Sequence, residues 1–135
     1  MSAWLFVESE HNRNQDQLNN YNYLGVNEKK IKKLNIQKND LVFTYISRIM
    51  KFSDLRKIIS SELYLLPNEI NYDKEFKYCI KTKLIKSLDH DKWIDRHKIF
   101  HKLNLMWGKS HNFVLLSSPV ILDEQDKNFL LKFFK

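Results

Sequence analysis

His97 and His101 lie four residues apart in "HKIFH", a spacing that would put both imidazoles on one face of a helix within reach of a shared metal ion. A hydrolytic zinc helix needs a glutamate directly after its first histidine, and here that position is Lys98. No third ligand is indicated, and the one cysteine, Cys79, excludes a multi-cysteine site, so neither metal nor cofactor is expected. "WGKS" at 107–110 matches the end of a phosphate-binding loop, but the earlier glycine such a loop requires falls on Leu103. Cys79 stands among lysines without a base and an orienting third group, so it reads as a buried structural thiol. "LDHDKW" has acid–His–acid order, but adjacent loop residues rarely converge on one substrate atom. Nothing in these residues demands catalysis.

What remains is a basic surface interleaved with aromatic rings. The 135 residues carry 23 Lys+Arg against 16 Asp+Glu, a net charge of +7 that concentrates polyanions near the surface. Trp4, Tyr21, Tyr23, Tyr45, Tyr64 and Trp107 supply flat apolar faces. Such rings are usually core. Tyr21, Tyr23 and Gly25, however, sit in or beside a polar loop, and rings flanked by lysines suit extruded or single-stranded bases.

The elements that would position these residues follow from the pattern. At 43% hydrophobic and 13% aromatic, the chain is expected to form one globular domain over 1–135. "AWLFVE" (3–8) reads as a buried first strand, and the Asn/Gln-rich stretch from His11 to Asn22 as a surface loop. "NEKKIKKL" (27–34) reads as a short helix capped by Asn27, with Ile31 and Leu34 on its apolar seam. Strands are expected over 41–47, within 48–66, over 75–88, and over 112–122. In the third of these, Lys77, Lys81 and Lys83 would share a face with Cys79 and Ile85. A helix is expected over 89–104, and a last one after Asp123 with Phe129, Leu130, Phe133 and Phe134 at amphipathic spacing. Strands with short helices between them predict a small α+β barrel.

"WLFVESE", "LGV", "KNDLVFTY", "KFSDLRKI", "YCIKTKLIK" and "LLSSPVILDEQDKNFLLKFF" follow one another in the order seen in EVE domains. The chain resembles that family from Ala3 to Phe134; EVE domains belong to the PUA-like superfamily and are related to the YTH domain. The resemblance implies a PUA-like mixed β-barrel with short helices packed outside, and a binding module in place of a catalyst. Several members of the family are thought to hold a flipped, modified base in an aromatic pocket, and the YTH relatives read methylated adenine in RNA.

By that resemblance the exit of the first strand, at Glu8, Ser9 and Glu10, contacts the base. A "Trp-Gly-Val" run falls on Leu24, Gly25 and Val26, a "Tyr-His-Ser" run on Tyr45, Ile46 and Ser47, and a tryptophan before the last strand on Trp107. Leu24 stands where a cage wall would be, which leaves Tyr23 or Trp4 to supply the stacking face. Gly25 is expected to turn the chain tightly at positive φ so that backbone meets a planar ligand. Asn27 follows at the rim. Lys29, Lys30 and Lys33 of the short helix, with Lys77, Lys81 and Lys83, would hold phosphates.

The function expected from the sequence is a non-enzymatic nucleic-acid-binding module that reads a modified or flipped base in DNA or RNA. A general RNA-binding PUA-like module for tRNA or rRNA, without such selectivity, is the alternative. A nucleotide-directed enzyme and a binder of protein or of a small aromatic metabolite are further rivals. No apolar run approaches the roughly 20 residues needed to cross a bilayer, and no signal-peptide pattern opens the chain. A cytoplasmic monomer without membrane attachment is therefore expected.

Overall fold

The computed structural model describes residues 1–73 and 76–135; the expected strand start at Glu75 lies outside the described residues. Seven strands form one mixed sheet: β1 (Ala3–Glu8), β2 (Tyr23–Val26), β3 (Leu41–Ile46), β4 (Lys51–Leu65), β5 (Tyr78–Ser87), β6 (Ile94–Asp95) and β7 (Val120–Leu122). The order is β2-β5-β4-β3-β1-β7, with β6 paired to the start of β4. Among the described residues only β1 and β3 run parallel, from Ala3 opposite Leu41 to Glu8 opposite Ile46. The expected α+β architecture is present. Closure into a barrel is not established, because the pairing path ends at β2 on one side and β7 on the other.

"AWLFVE" is apolar at successive positions because β1 is covered on both faces. Ala3 and Leu5 join Phe43, Phe52 and Leu55 in one core layer, sealed by Ile99, Phe100, Val114, Leu130 and Phe134. Trp4 and Phe6 point the other way, into a second layer with Leu24, Val26, Val42, Ile58 and Ile80. Trp4 is 3% exposed, and its indole Nε1 donates to Asp40 across 3.0 Å.

Between the strands lie α1 (Glu10–Leu18), α2 (Glu28–Ile31), α3 (Arg96–Ile99), α4 (His111–Leu116) and α5 (Glu124–Leu131). Asn27 caps α2 by accepting from the Lys30 amide at 3.1 Å, and Asp123 caps α5 by accepting from the Asp126 amide at 2.8 Å.

Three expectations change. The stretch from His11 to Asn22, expected as loop, is largely helix: Ser9 caps α1, whose buried face is Asn12, Arg13 and Asp16. No apolar period was visible because the face that α1 buries is polar. The expected strand over 112–122 is split, and its first half is helix α4, with Val114 alone buried. The helix expected over 89–104 is broken by 3₁₀ turns and by β6.

Candidate binding site at the carboxyl ends of the parallel strands

A buried ion cluster fixes the carboxyl end of β1. Arg56, fully enclosed on β4, donates from Nε to Asp54 Oδ1 at 2.7 Å and from Nη2 to Glu8 Oε1 at 3.0 Å. Its Nη1 lies 2.9 Å from Asp16 Oδ2. Arg13 of α1 stands 3.9 Å from Asp54 and donates to the Tyr21 hydroxyl at 2.9 Å. Tyr72 closes the cluster, its hydroxyl bonding Asp16 and the carbonyl of Tyr23.

Three carboxylates here meet two guanidiniums. Burial and the neighbouring Asp16 therefore hold the Glu8 carboxyl well above the usual carboxylate range, although Arg56 pulls the other way. Desolvation alone would weaken the Arg56 charge, but Asp54, Asp16 and Glu8 together raise its pKa above the usual value. Glu8, expected at a base, is thus 8% exposed and engaged with Arg56.

The residues beyond this cluster open onto solvent. The Ser47 amide donates to the Glu8 carbonyl at 2.8 Å, so β1 and β3 end level with each other. Ser118 accepts from the Val7 amide at 2.8 Å and brings the segment after α4 against β1. Lys30 Nζ reaches the Leu116 carbonyl at 3.3 Å and ties α2 to α4. Three concavities surround this junction.

The first, of about 290 Å³, is lined by the Gly25–Asn27 segment, Phe6, Val7, Phe76, Leu115, Leu116 and Pro119, with Lys30 at its edge. Its volume lies just below the roughly 300–1,000 Å³ found for small-ligand pockets. The second, of about 390 Å³, runs between Tyr45, Ser47, Arg48, Met50 and Arg96 on one side and Asn112, Leu115 and Leu116 on the other. The third, of about 450 Å³, joins Ser9, Glu10 and His11 to Ser47, Arg48 and Asp73. Val7, Leu115 and Leu116 separate the first two, while Ser47 and Arg48 are shared by the last two.

The expected site residues therefore distribute unevenly. Gly25, Val26, Asn27 and Lys30 come together at the first cavity, Tyr45 and Ser47 at the second, and Ser9, Glu10 and Ser47 at the third. Trp4 and Leu24 are core residues, 3% and 1% exposed, and Tyr23, half-buried, lies outside the lining of all three. Trp107 is 82% exposed on the segment before α4 and also lines none of the three. Phe113 and Leu116 of α4 are likewise exposed.

Gly25 lies within β2, and the glycine at positive φ is Gly108, at 68°. A planar group does approach Gly25, but it is the protein's own. A Cβ there would stand 2.9 Å from Tyr72 Cδ2 and 3.3 Å from Phe76 Cγ.

Among the lysines, Lys29, Lys33, Lys77 and Lys83 are exposed. Lys81 is half-buried, its Nζ 4.3 Å from the centre of the Tyr64 ring. Cys79, read from the sequence as a buried structural thiol, is fully enclosed opposite Tyr64 and interrupts the row. Lys83 pairs directly with Lys57, two like charges facing across the β4–β5 ladder.

Sequence reasoning missed Phe76, Leu115, Arg48 and Arg96. Leu115 was assigned to a strand, and nothing in the string sets Arg48 or Arg96 apart from other surface cations.

This mixed sheet, with its one parallel pair among the described residues, is similar in fold to solved YTH domains. The chain superposes on the Mmi1 YTH domain in complex with RNA with a TM-score of 0.70 at 8% identity, covering 98% of this chain and 77% of that one. For the Pho92 YTH domain in complex with m6A the TM-score is 0.70 at 11% identity, covering 99% and 83%. The YTH domain of the Zygosaccharomyces rouxii MRB1 protein, in complex with N6-methyladenosine RNA, gives 0.69 at 14% identity, covering 99% and 84%. No family model matches the sequence, and no characterised protein matches it at the sequence level.

Proposed function

We propose that this chain is a non-enzymatic RNA-binding module of the EVE type that holds one base of a single strand in the cavity beside Gly25–Asn27. The observation that carries the reading is that cavity: apolar walls from Phe6, Phe76, Leu115 and Pro119, backbone on one side, and a lysine on its edge. A flipped base needs such a slot, and the phosphate next to it needs such a cation. The net charge of +7 and the exposed Lys29, Lys33 and Lys77 favour a polyanion over an uncharged ligand. The likeness to domains crystallised with RNA and with m6A supports RNA as the polymer and a methylated adenine as the base.

The second reading, a general RNA-binding module without base selectivity, is favoured by one observation. The rings at the cavity are Phe6 and Phe76, while Trp4, Tyr23 and Trp107 stand away from it. Both readings dispense with catalysis.

A panel of single- and double-stranded RNA and DNA, plain and N6-methylated, at two salt concentrations separates them. The selective reader binds methylated single-stranded RNA best and loses that preference in Phe76→Ala. Lys30→Ala weakens all strands alike and lowers the salt slope by about one. Equal affinity for plain and methylated strands leaves the general module. Absence of salt-dependent binding to any strand refutes both.

A further inference from the structure

The segment 107–116 carries large apolar side chains that the fold leaves in water. Trp107 is 82% exposed, Phe113 69% and Leu116 77%. Phe113 and Leu116 lie one helical turn apart on α4 and share a face, while Val114 between them turns into the core. Gly108, at φ 68°, bends the chain between Trp107 and the helix. Side chains of this size, gathered and uncovered, mark an interaction surface.

The charge around them selects the partner. From Arg96 to Leu122 the sequence contains no Asp or Glu, but four Lys or Arg and three His. Lys102 and Lys109 are exposed. The acids that follow are occupied: Asp123 accepts from the Asn104 side chain, and Asp126 from the Asn104 and Leu105 amides. Polar residues 108–112 separate the two rings, so this is not the continuous apolar face that a protein partner or a bilayer would bury. Rings spaced by cationic and polar residues suit successive unpaired bases and their phosphates.

The surface also adjoins the first cavity. Leu116 lines that cavity, and its carbonyl accepts from Lys30 at the cavity edge across 3.3 Å. A strand leaving beside Lys30 therefore meets Leu116 and then Phe113. We propose that α4 and the turn before it form a stacking platform for the single-stranded RNA next to the held base. Unpaired bases lie on Phe113 and Trp107, and phosphates meet Lys102 and Lys109. The platform rests on the RNA-binding function proposed above and adds where the strand runs.

Trp4 and Trp93 are 3% and 7% exposed, so acrylamide quenching of fluorescence reports chiefly on Trp107. A plain single-stranded RNA of about 15 nucleotides at saturation shields Trp107; a duplex of the same length, its bases already stacked on one another, does not. Phe113→Leu and Trp107→Leu, which remove a ring and keep an apolar side chain, each weaken the single strand about tenfold. Their melting temperatures stay near that of the native protein, because neither ring is buried. Both variants weaken methylated and plain strands by the same factor, whereas Phe76→Ala removes the preference between them.

Native affinity in either ring variant, unchanged quenching of Trp107 in the RNA complex, or equal shielding by the duplex overturns the platform and leaves the first cavity untouched. Binding that shows no methyl preference yet needs both rings sinks the base reading and upholds the platform. Sedimentation with phosphatidylcholine–phosphatidylserine vesicles, while RNA leaves Trp107 open to acrylamide, makes the face a lipid-binding one and overturns the proposal. Absence of binding to any strand removes both.

Discussion

Tyr72 packs one edge of its ring, Cδ2 and Cε2, against Gly25, so close that a methyl group on the glycine would meet Cδ2 at 2.9 Å. The contact anchors the segment before β5 on strand β2, since the same Tyr72 hydroxyl bonds Asp16 and the Tyr23 carbonyl. Burial and the adjoining Asp16 hold that phenol far above its ordinary pKa, so it is a donor at neutral pH. Gly25→Ala forces the ring off these partners. Overpacking of this kind typically costs about 1–3 kcal/mol, and urea denaturation reads it. A variant with unchanged midpoint would show that the ring moves aside freely.

Arg56 is the next test. It holds Asp54, Asp16 and Glu8 together inside the sheet, and Arg56→Leu leaves these carboxylates buried beside Arg13 alone. Removing one partner from a buried ionic cluster costs roughly 3–5 kcal/mol. The loss shrinks as the solution is acidified, because protonated carboxyls no longer need the counter-charge. Unfolding curves of variant and native protein at pH 4.5 and pH 7.5 measure both the loss and its recovery.

Glu8 gives the opposite sign from a surface carboxylate. Its folded pKa is raised, so the folded chain binds the proton more tightly than the unfolded one does. Its contribution to stability is complete below the ordinary carboxylate pKa and declines as pH rises from there through the raised folded value. Glu8→Gln keeps an oxygen for Arg56 and removes the titration. The variant is expected to gain on the native protein in melting temperature as pH climbs from about 4.5 toward neutrality. A constant difference across that range would place the extra proton elsewhere in the cluster.

The same cluster shows where the sequence was legible. β1, β3, α2 and α5 were readable because each rests on local rules: a continuous apolar run for a doubly covered strand, Asn27 and Asp123 as caps, and a wide apolar stripe on the last helix. α1 was hidden because its inward face is Asn12, Arg13 and Asp16, which only Arg56 and Asp54, some 40 positions on, make tolerable. A period search weighs apolar residues and cannot see a helix that docks on charge. The candidate site was half legible for a related reason. Gly25, Val26, Asn27 and Lys30 gather at one cavity because they are consecutive or one helical turn apart. The aromatic walls depended on which way each ring points, and β1 turns Trp4 inward to Asp40.

Cys79 makes a last prediction about the lysine-flanked strand. The residue is fully enclosed, opposite Gly25 on β2 and Tyr64 on β4. Burial raises its thiol pKa from 9.0 to about 11, with Lys81 only partly opposing it. Two pKa units mean about a hundredfold less thiolate at any pH well below both values, and the thiolate is the reactive species. In the folded chain at pH 8, iodoacetamide is therefore expected to leave Cys79 unmodified over hours. In guanidinium one thiol per chain reacts at the rate of an ordinary cysteine. Mass spectrometry of both reactions decides the matter, and rapid alkylation of the native protein would mean that the β4–β5 ribbon opens far more often than its packing implies.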